Sequence, residues 1–180
     1  GPVKGVALIG LRGAGKTTLG KRLAEDVGIP FIKLSEVIEQ LAGMDLHELF
    51  SLRGQKAYRR LEMEAVKYVQ QNYDNVVLEI GGSLVSEKET YNLVLSHFYT
   101  VWLRTDAEEH MNRVIAQGDT RPMEDNDQAM EDLKLILKER EPFYKAANLT
   151  LDTSGQSVEQ SAQILMNKSR CYCCQWQWGQ

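Results

Sequence analysis

The chain has 180 residues, of which 43% are hydrophobic and 26% are charged, and its formal net charge is -4 at pH 7. This length and composition are typical of a single soluble domain and exclude collagen-like, coiled-coil and wholly disordered proteins. No apolar run approaches the ~20 residues of a membrane-spanning helix, and the slightly acidic balance argues against a general electrostatic grip on nucleic acid.

Strands and helices are predicted to alternate along the chain. A short apolar run meets a glycine-rich stretch and then a helical pattern with Leu19 and Leu23 four residues apart. The predicted strands cover residues 6–9, 31–34, 76–80, 99–103 and 149–151, and the later predicted helices cover 36–42, 46–71, 87–95, 107–116 and 129–144. Because this order lacks tight hairpin turns, it predicts an α/β fold with a five-stranded parallel sheet covered on both faces. The polar stretch GDTRPMEDND at 118–127 is a candidate lid.

The two ends of the chain differ from its middle. All three cysteines lie in the uncharged sequence CYCCQWQWGQ, and they supply too few ligands for a tetrahedral metal site. We expect one domain over residues 1–170 and a disordered or expression-derived tail over 171–180. A cysteine-free core without a signal segment predicts a cytoplasmic protein. Because the chain starts Gly1-Pro2 without methionine, we expect it to be a piece of something longer.

Residues 10–17, GLRGAGKT, fit the P-loop pattern GxxxxGK[ST] between a predicted strand and a predicted helix. Glycines let the backbone curl so that N–H groups point at phosphate oxygens, at the positive end of the helix dipole. Lys16 is then expected to reach the β- and γ-phosphates, and Thr17 to offer its hydroxyl to Mg²⁺. The predicted ligand is therefore ATP with Mg²⁺, and the predicted nucleotide-binding residues are Gly10, Arg12, Gly13, Ala14, Gly15, Lys16, Thr17 and Thr18.

Downstream of this motif the chain resembles shikimate kinase, a member of the nucleoside-monophosphate-kinase-like P-loop group. The resemblance covers about residues 5 to 155 and implies a three-layer fold with a lid. It rests on GQKAYRRLE at 54–62, GGS at 81–83, RPM at 121–123 and LKEREPFY at 137–144. Two of the family's three glycines after the third strand are present, as Gly81 and Gly82.

The resemblance also implies roles for four arginines. Arg59 and Arg140 correspond to arginines that bind the acceptor's carboxylate, and a bidentate guanidinium suits that group. Arg121 is placed to meet the transferring phosphoryl group when the lid closes, beside Lys16 as the second catalytic candidate. Arg113 is a candidate for stacking on adenine.

The chain departs from the shikimate kinase pattern after the second strand. There the family carries FxDTD, whose first aspartate serves the Mg²⁺ side and whose second holds the acceptor hydroxyls. This chain has Lys33 and Ser35 at those positions. Replacing a carboxylate by Lys33 changes the local charge by two units, and serine is a poor general base. Glu79 is either a compensating metal-side acid or a partly exposed carboxylate at a strand end.

A second resemblance accounts for this departure. The sequences SHFYTVWL at 96–103, EEHM at 108–111, AQGD at 116–119 and DTSG at 152–155 are similar to certain bacterial transcription regulators. In these regulators of benzoate catabolism a helix-turn-helix segment precedes a shikimate-kinase-like domain that responds to benzoyl-CoA. The resemblance implies an effector pocket with weak or no phosphotransfer, DNA contact only through a preceding segment, and a homodimer.

Two functions follow from these patterns. The favoured hypothesis is an ATP-binding sensor of an anionic aromatic acyl-CoA, for which Lys16, Lys33, Arg59 and Arg140 make a basic cleft. The alternative hypothesis is an active kinase that converts shikimate and ATP to shikimate 3-phosphate and ADP.

Overall fold

The sheet has five parallel strands in the order β2-β3-β1-β4-β5. The computed structural model describes residues 3–11, 14–116 and 126–173. The strands are β1 (Gly5–Gly10), β2 (Phe31–Lys33), β3 (Val76–Gly81), β4 (Tyr99–Arg104) and β5 (Leu149–Asp152). All five predicted strands are confirmed, although the prediction for the second is wrong at its last residue. Leu34 is buried and begins a helix instead.

Helices cover both faces of the sheet. They are α1 (Lys16–Val27), α2 (Leu34–Ala42), α3 (Leu46–Asn72), α4 (Lys88–His97), α5 (Ala107–Ala116), α6 (Asn126–Tyr144) and α7 (Val158–Cys173), with a short 3-10 helix at Gly82–Ser86. Sequence analysis missed α7, because its buried apolar residues Ala162 and Leu165 are few and do not make an evident helical stripe. The helix extends three residues into the predicted tail at 171–180, and the rest of that segment lies outside the described residues.

Alternation along each strand divides the core into two layers. Ala7 and Ile9 of β1 pack with α2, α3 and α4 on one face, whereas Val6 and Leu8 pack with α1 and α7 on the other. Successive side chains of a strand point to opposite faces, so a strand with a helix layer on each side is apolar throughout. All six residues of β1 are buried. The predicted α/β architecture with three layers is confirmed.

The carboxyl ends of β1, β2 and β3 lie side by side. In the β1–β3 pair Gly10 faces Gly81, and in the β2–β3 pair Lys33 faces Glu79. Ligands of open parallel sheets bind outside this edge, where the loops that follow the strands meet. The fold therefore brings the P-loop sequence, Lys33 and Glu79 to one place.

In the part of the chain that the structure describes, no helix is both long enough and apolar enough to cross a membrane.

Candidate functional site

The loop between β1 and α1 is shaped by glycines. Gly15 precedes the first residue of α1 with φ 92°, a left-handed conformation that side chains other than glycine rarely adopt. Gly10 lies so close to β4 that an added Cβ would be 2.7 Å from the carbonyl oxygen of Leu103. The loop therefore presents backbone at the start of a helix, which is where a phosphate binds. Arg12 and Gly13 lie outside the described residues.

Lys16 is buried at the start of α1. Its side chain is 8% exposed, and its Nζ donates a hydrogen bond of 2.5 Å to the carbonyl oxygen of Gly10. Burial lowers the pKa of Lys16 to about 8; the negative charge of Glu79 opposes this shift, and the positive charges of Lys33 and Arg140 add to it. The ammonium group thus lacks the solvation that it has in water, and an anionic ligand would stabilise it.

Glu79 connects the P-loop helix to the second strand. Thr17 Oγ1 donates a hydrogen bond of 2.8 Å to Glu79 Oε1, and Lys33 Nζ lies 3.8 Å from Glu79 Oε2. The second distance is too long for a hydrogen bond, and Glu79 Oε2 is buried without a hydrogen-bond partner. The side chain of Glu79 is 13% exposed, so it is partly exposed at its strand end, and it is also the hydrogen-bond acceptor of Thr17.

This oxygen pair fits a hard divalent cation. Mg²⁺ prefers carboxylate and hydroxyl oxygens, and Thr17 Oγ1 and the buried Oε2 of Glu79 are such atoms. They would hold the ion together with phosphate oxygens of a nucleotide, because among the described residues no group of three or more His, Cys, Asp or Glu side chains forms a metal cage. The ammonium of Lys33 stands in the same small region, and it adds positive charge where a cation would bind.

Arg140 of α6 lies near Tyr144, which follows it by four residues on the same helix. The positive charge of Arg140 acts on the Tyr144 hydroxyl, which donates a hydrogen bond of 3.3 Å to the carbonyl oxygen of Gly82. Tyr144 is fully buried and stacks on Trp102 with a centroid distance of 4.9 Å. The burial raises the pKa of Tyr144, so the hydroxyl stays protonated. Arg140 is close enough to Lys16 for its positive charge to lower the pKa of Lys16.

Arg59 lies on α3 and is engaged by an acid of the same helix. Its Nη1 is 2.9 Å from Glu62 Oε1, and Tyr58 Oη donates a hydrogen bond of 3.1 Å to the other oxygen. Burial raises the pKa of Glu62, while the hydrogen bond and charge of Arg59 act in the opposite direction. The arginine also lines an open cleft of about 330 Å³ between α3 and α4.

The structure brings some of the predicted site residues together. Lys16, Thr17, Lys33, Glu79 and Arg140 act on one another through the contacts and charges above. Six further candidates are described. Ala14 and Gly82 are buried, whereas the others are half-buried or exposed: Gly15, Thr18, Ser35 and Gly81. Arg121 lies outside the described residues, and so does the side chain of Arg113 on α5. Of the predicted lid over 118–127, only residues 126–127 are described, and they begin α6.

Sequence analysis missed Glu62 as the partner of Arg59, and it missed Tyr144 as the side chain that contacts Gly82. The signal for Glu62 was present, because residues three apart on a helix are neighbours and Arg59 precedes it by three. For Tyr144 only the motif EREPFY was available, which does not reveal that the hydroxyl reaches Gly82.

Comparison with known proteins gives consistent results. The family model for shikimate kinase matches residues 12–170. A shikimate kinase of Francisella tularensis subsp. holarctica is 33% identical over 157 residues, which are 87% of this chain and 89% of that protein. A shikimate kinase of Francisella philomiragia subsp. philomiragia is 32% identical over the same share of each chain.

Solved structures agree with this assignment. A crystal structure of shikimate kinase from Bacteroides thetaiotaomicron matches with a TM-score of 0.81 and 28% identity over 92% of this chain and 98% of that chain. Shikimate kinase from Acinetobacter baumannii, solved in complex with shikimate, matches with a TM-score of 0.78 and 26% identity over 94% of each chain.

Proposed function

The chain belongs to the shikimate kinase family, and on this premise we propose that it binds ATP at the P-loop and transfers a phosphoryl group to shikimate or a similar hydroxy-carboxylate. The observation that carries the proposal is the joint placement of Lys16, Thr17 and Glu79 at the carboxyl edge of the sheet. The two Francisella relatives are shikimate kinases, and the shikimate kinase from Acinetobacter baumannii was solved with shikimate bound.

The proposed chemistry assigns a task to each part of the cleft. Lys16 exchanges its bond to the Gly10 carbonyl oxygen for phosphate oxygens and neutralises charge there. Arg140 and Arg59 bind the acceptor's carboxylate. The acceptor hydroxyl oxygen forms a bond to the γ-phosphorus, the bond from that phosphorus to the oxygen of the leaving ADP breaks, and the hydroxyl proton leaves with solvent. Mg²⁺, when bound at Thr17 and Glu79, supplies further neutralisation of the phosphates.

On the acceptor side, this site lacks a carboxylate at position 35 that could act as a base. Ser35, in the first turn of α2, stands where the family has an aspartate, and its hydroxyl is a poor base. We therefore expect slow but shikimate-dependent ADP release from the wild-type protein in excess Mg²⁺. No stimulation by shikimate, with thermal stabilisation by ATP intact, would contradict the kinase proposal.

Restoring the two acids is expected to raise this rate. The double substitution Lys33→Asp with Ser35→Asp returns a carboxylate to each family position, and shikimate-dependent ADP release should increase about tenfold or more. A coupled assay in excess Mg²⁺ measures the change. Glu36→Asp on the same helix, whose side chain is exposed, is the control and should leave the rate unchanged. A double variant that folds and shows no gain would exclude these two positions as the cause of slow transfer.

A second function is favoured by the positive charge that Lys33 adds to the cleft. With Lys33 and Ser35 in place of two acids, Lys33 lies beside Glu79, and Lys33 and Arg140 both add positive charge near Lys16. Such a cleft favours a polyanion over a neutral polyol. In this hypothesis the chain is the sensor domain of a transcription regulator, binds an aromatic acyl-CoA such as benzoyl-CoA, and contacts DNA as a homodimer through a preceding helix-turn-helix segment. Calorimetric titration decides between them: tighter binding of shikimate than of benzoyl-CoA would exclude the sensor.

The ATP affinity is expected to depend on pH. Lys16 has a pKa of about 8 in the free protein, and bound phosphates stabilise its charged form. Binding therefore takes up a proton above that pH, and the affinity should fall about fivefold between pH 8 and pH 9. Below pH 7.5 Lys16 is mostly protonated, so the ATP affinity should change little with pH there. Calorimetry across this range tests the prediction, and Lys16→Arg, which stays charged, should bind without the fall.

A further inference from the structure

The charges around Glu79 do not balance. Lys33 and Arg140 both act on Lys16, and among the described residues Glu79 is the carboxylate that opposes them there. Three cations against one carboxylate leave two positive charges in excess. The phosphate groups of a nucleotide carry the opposite charge, so the excess is available for them.

Lys33 is more exposed than Lys16, and its side chain can turn toward a ligand. Its side chain is 37% exposed, whereas Lys16 is 8% exposed and Glu79 has 13% of its side chain exposed. Its contact with Glu79 is an ion pair at 3.8 Å and not a hydrogen bond, so no hydrogen bond breaks when the ammonium moves. The flexible stem of lysine suits it to follow a phosphate oxygen.

The backbone holds Lys33 close to the place of the terminal phosphates. It is the last residue of β2 and the register partner of Glu79, whose other oxygen is bound by Thr17 next to Lys16. An acid at this position would attract a divalent cation and repel phosphate. An ammonium does the reverse, because the local charge differs by two units.

We propose that Lys33 is a built-in counter-ion for the phosphates of the bound nucleotide, so that ATP binds this chain with nearly the same affinity with and without Mg²⁺. The inference rests on the proposed nucleotide site. It concerns ATP binding and not phosphoryl transfer. It distinguishes this chain from a site in which the phosphates bind mainly through the metal ion.

The test is calorimetric titration with ATP, once in excess Mg²⁺ and once in excess EDTA. For the wild-type protein the two affinities should differ by less than about threefold. In Lys33→Asp the ratio of the Mg²⁺ affinity to the EDTA affinity should rise at least about tenfold, mainly through weaker binding in EDTA. Lys33→Met removes the charge without adding an acid, so its ratio should lie between those of the wild type and Lys33→Asp. It replaces Lys33→Asp in the test if that variant does not fold.

The matched control is Lys67→Asp, an exposed lysine of α3 with the same change of charge, whose ratio should equal that of the wild type. A wild-type affinity that Mg²⁺ raises more than about tenfold, or a ratio that neither Lys33 variant changes, would overturn the inference and leave the nucleotide site standing. Absence of ATP binding by the wild type under both conditions would instead remove the proposed nucleotide site, and the inference with it.

Discussion

Replacing Lys16 by alanine is expected to lower the ATP affinity about hundredfold and any shikimate-dependent turnover by about 10²–10³-fold. The reason is the position of this ammonium, which is buried beside the loop backbone and held by the Gly10 carbonyl oxygen until a ligand arrives. Because the site is already desolvated, its charge acts on phosphate more strongly than a surface lysine would. Calorimetry with ATP and the coupled ADP-release assay measure the two losses.

The control for Lys16→Ala is Lys21→Ala, on the same helix, since Lys21 is exposed. It should bind ATP like the wild type. Thermal melting of both variants without ligand separates loss of binding from loss of folding, and ATP should raise the melting temperature of Lys21→Ala alone. Unchanged ATP affinity in a folded Lys16→Ala protein would show that the P-loop sequence is not the nucleotide site.

Replacing Gly82 by alanine is expected to destabilise the protein by about 2 kcal/mol, which corresponds to a melting temperature about 4–8 °C lower. An added Cβ would lie 2.5 Å from the Tyr144 hydroxyl and 2.9 Å from the Gly10 carbonyl oxygen. Neither neighbour yields easily, because Tyr144 is fully buried against Trp102 and Gly10 ends the central strand.

The same substitution should also weaken ATP binding, since the Gly10 carbonyl that it displaces is the partner of Lys16. Gly81→Ala is the matched control: an added Cβ at Gly81 has no atom within 4 Å, and φ of -65° suits alanine. Thermal melting and ATP titration of the two variants give the comparison. Equal melting temperatures would show that the backbone at Gly82 relaxes at little cost, and they would contradict this prediction.

Much of the fold was predictable because its signals are local. The five strands and the P-loop follow from apolar runs and glycine spacing, which depend on neighbours within a few residues. The helix α7 was missed because few of its residues are buried. The family was visible in short motifs, and the shikimate kinase model matches the same part of the chain.

The sequence by itself determined that this protein is an α/β domain with a phosphate-binding loop, and that lysine and serine stand where the family has two acids. Only the tertiary structure decided which side chains Lys33 and Glu79 contact. Thr17 and Glu79 are 62 residues apart, as are Gly82 and Tyr144, and their contacts depend on which strands pair and where α6 returns to the sheet. Pairing of distant segments is set by the burial of whole faces of the sheet, and no local pattern encodes the distance between two side chains that this burial brings together.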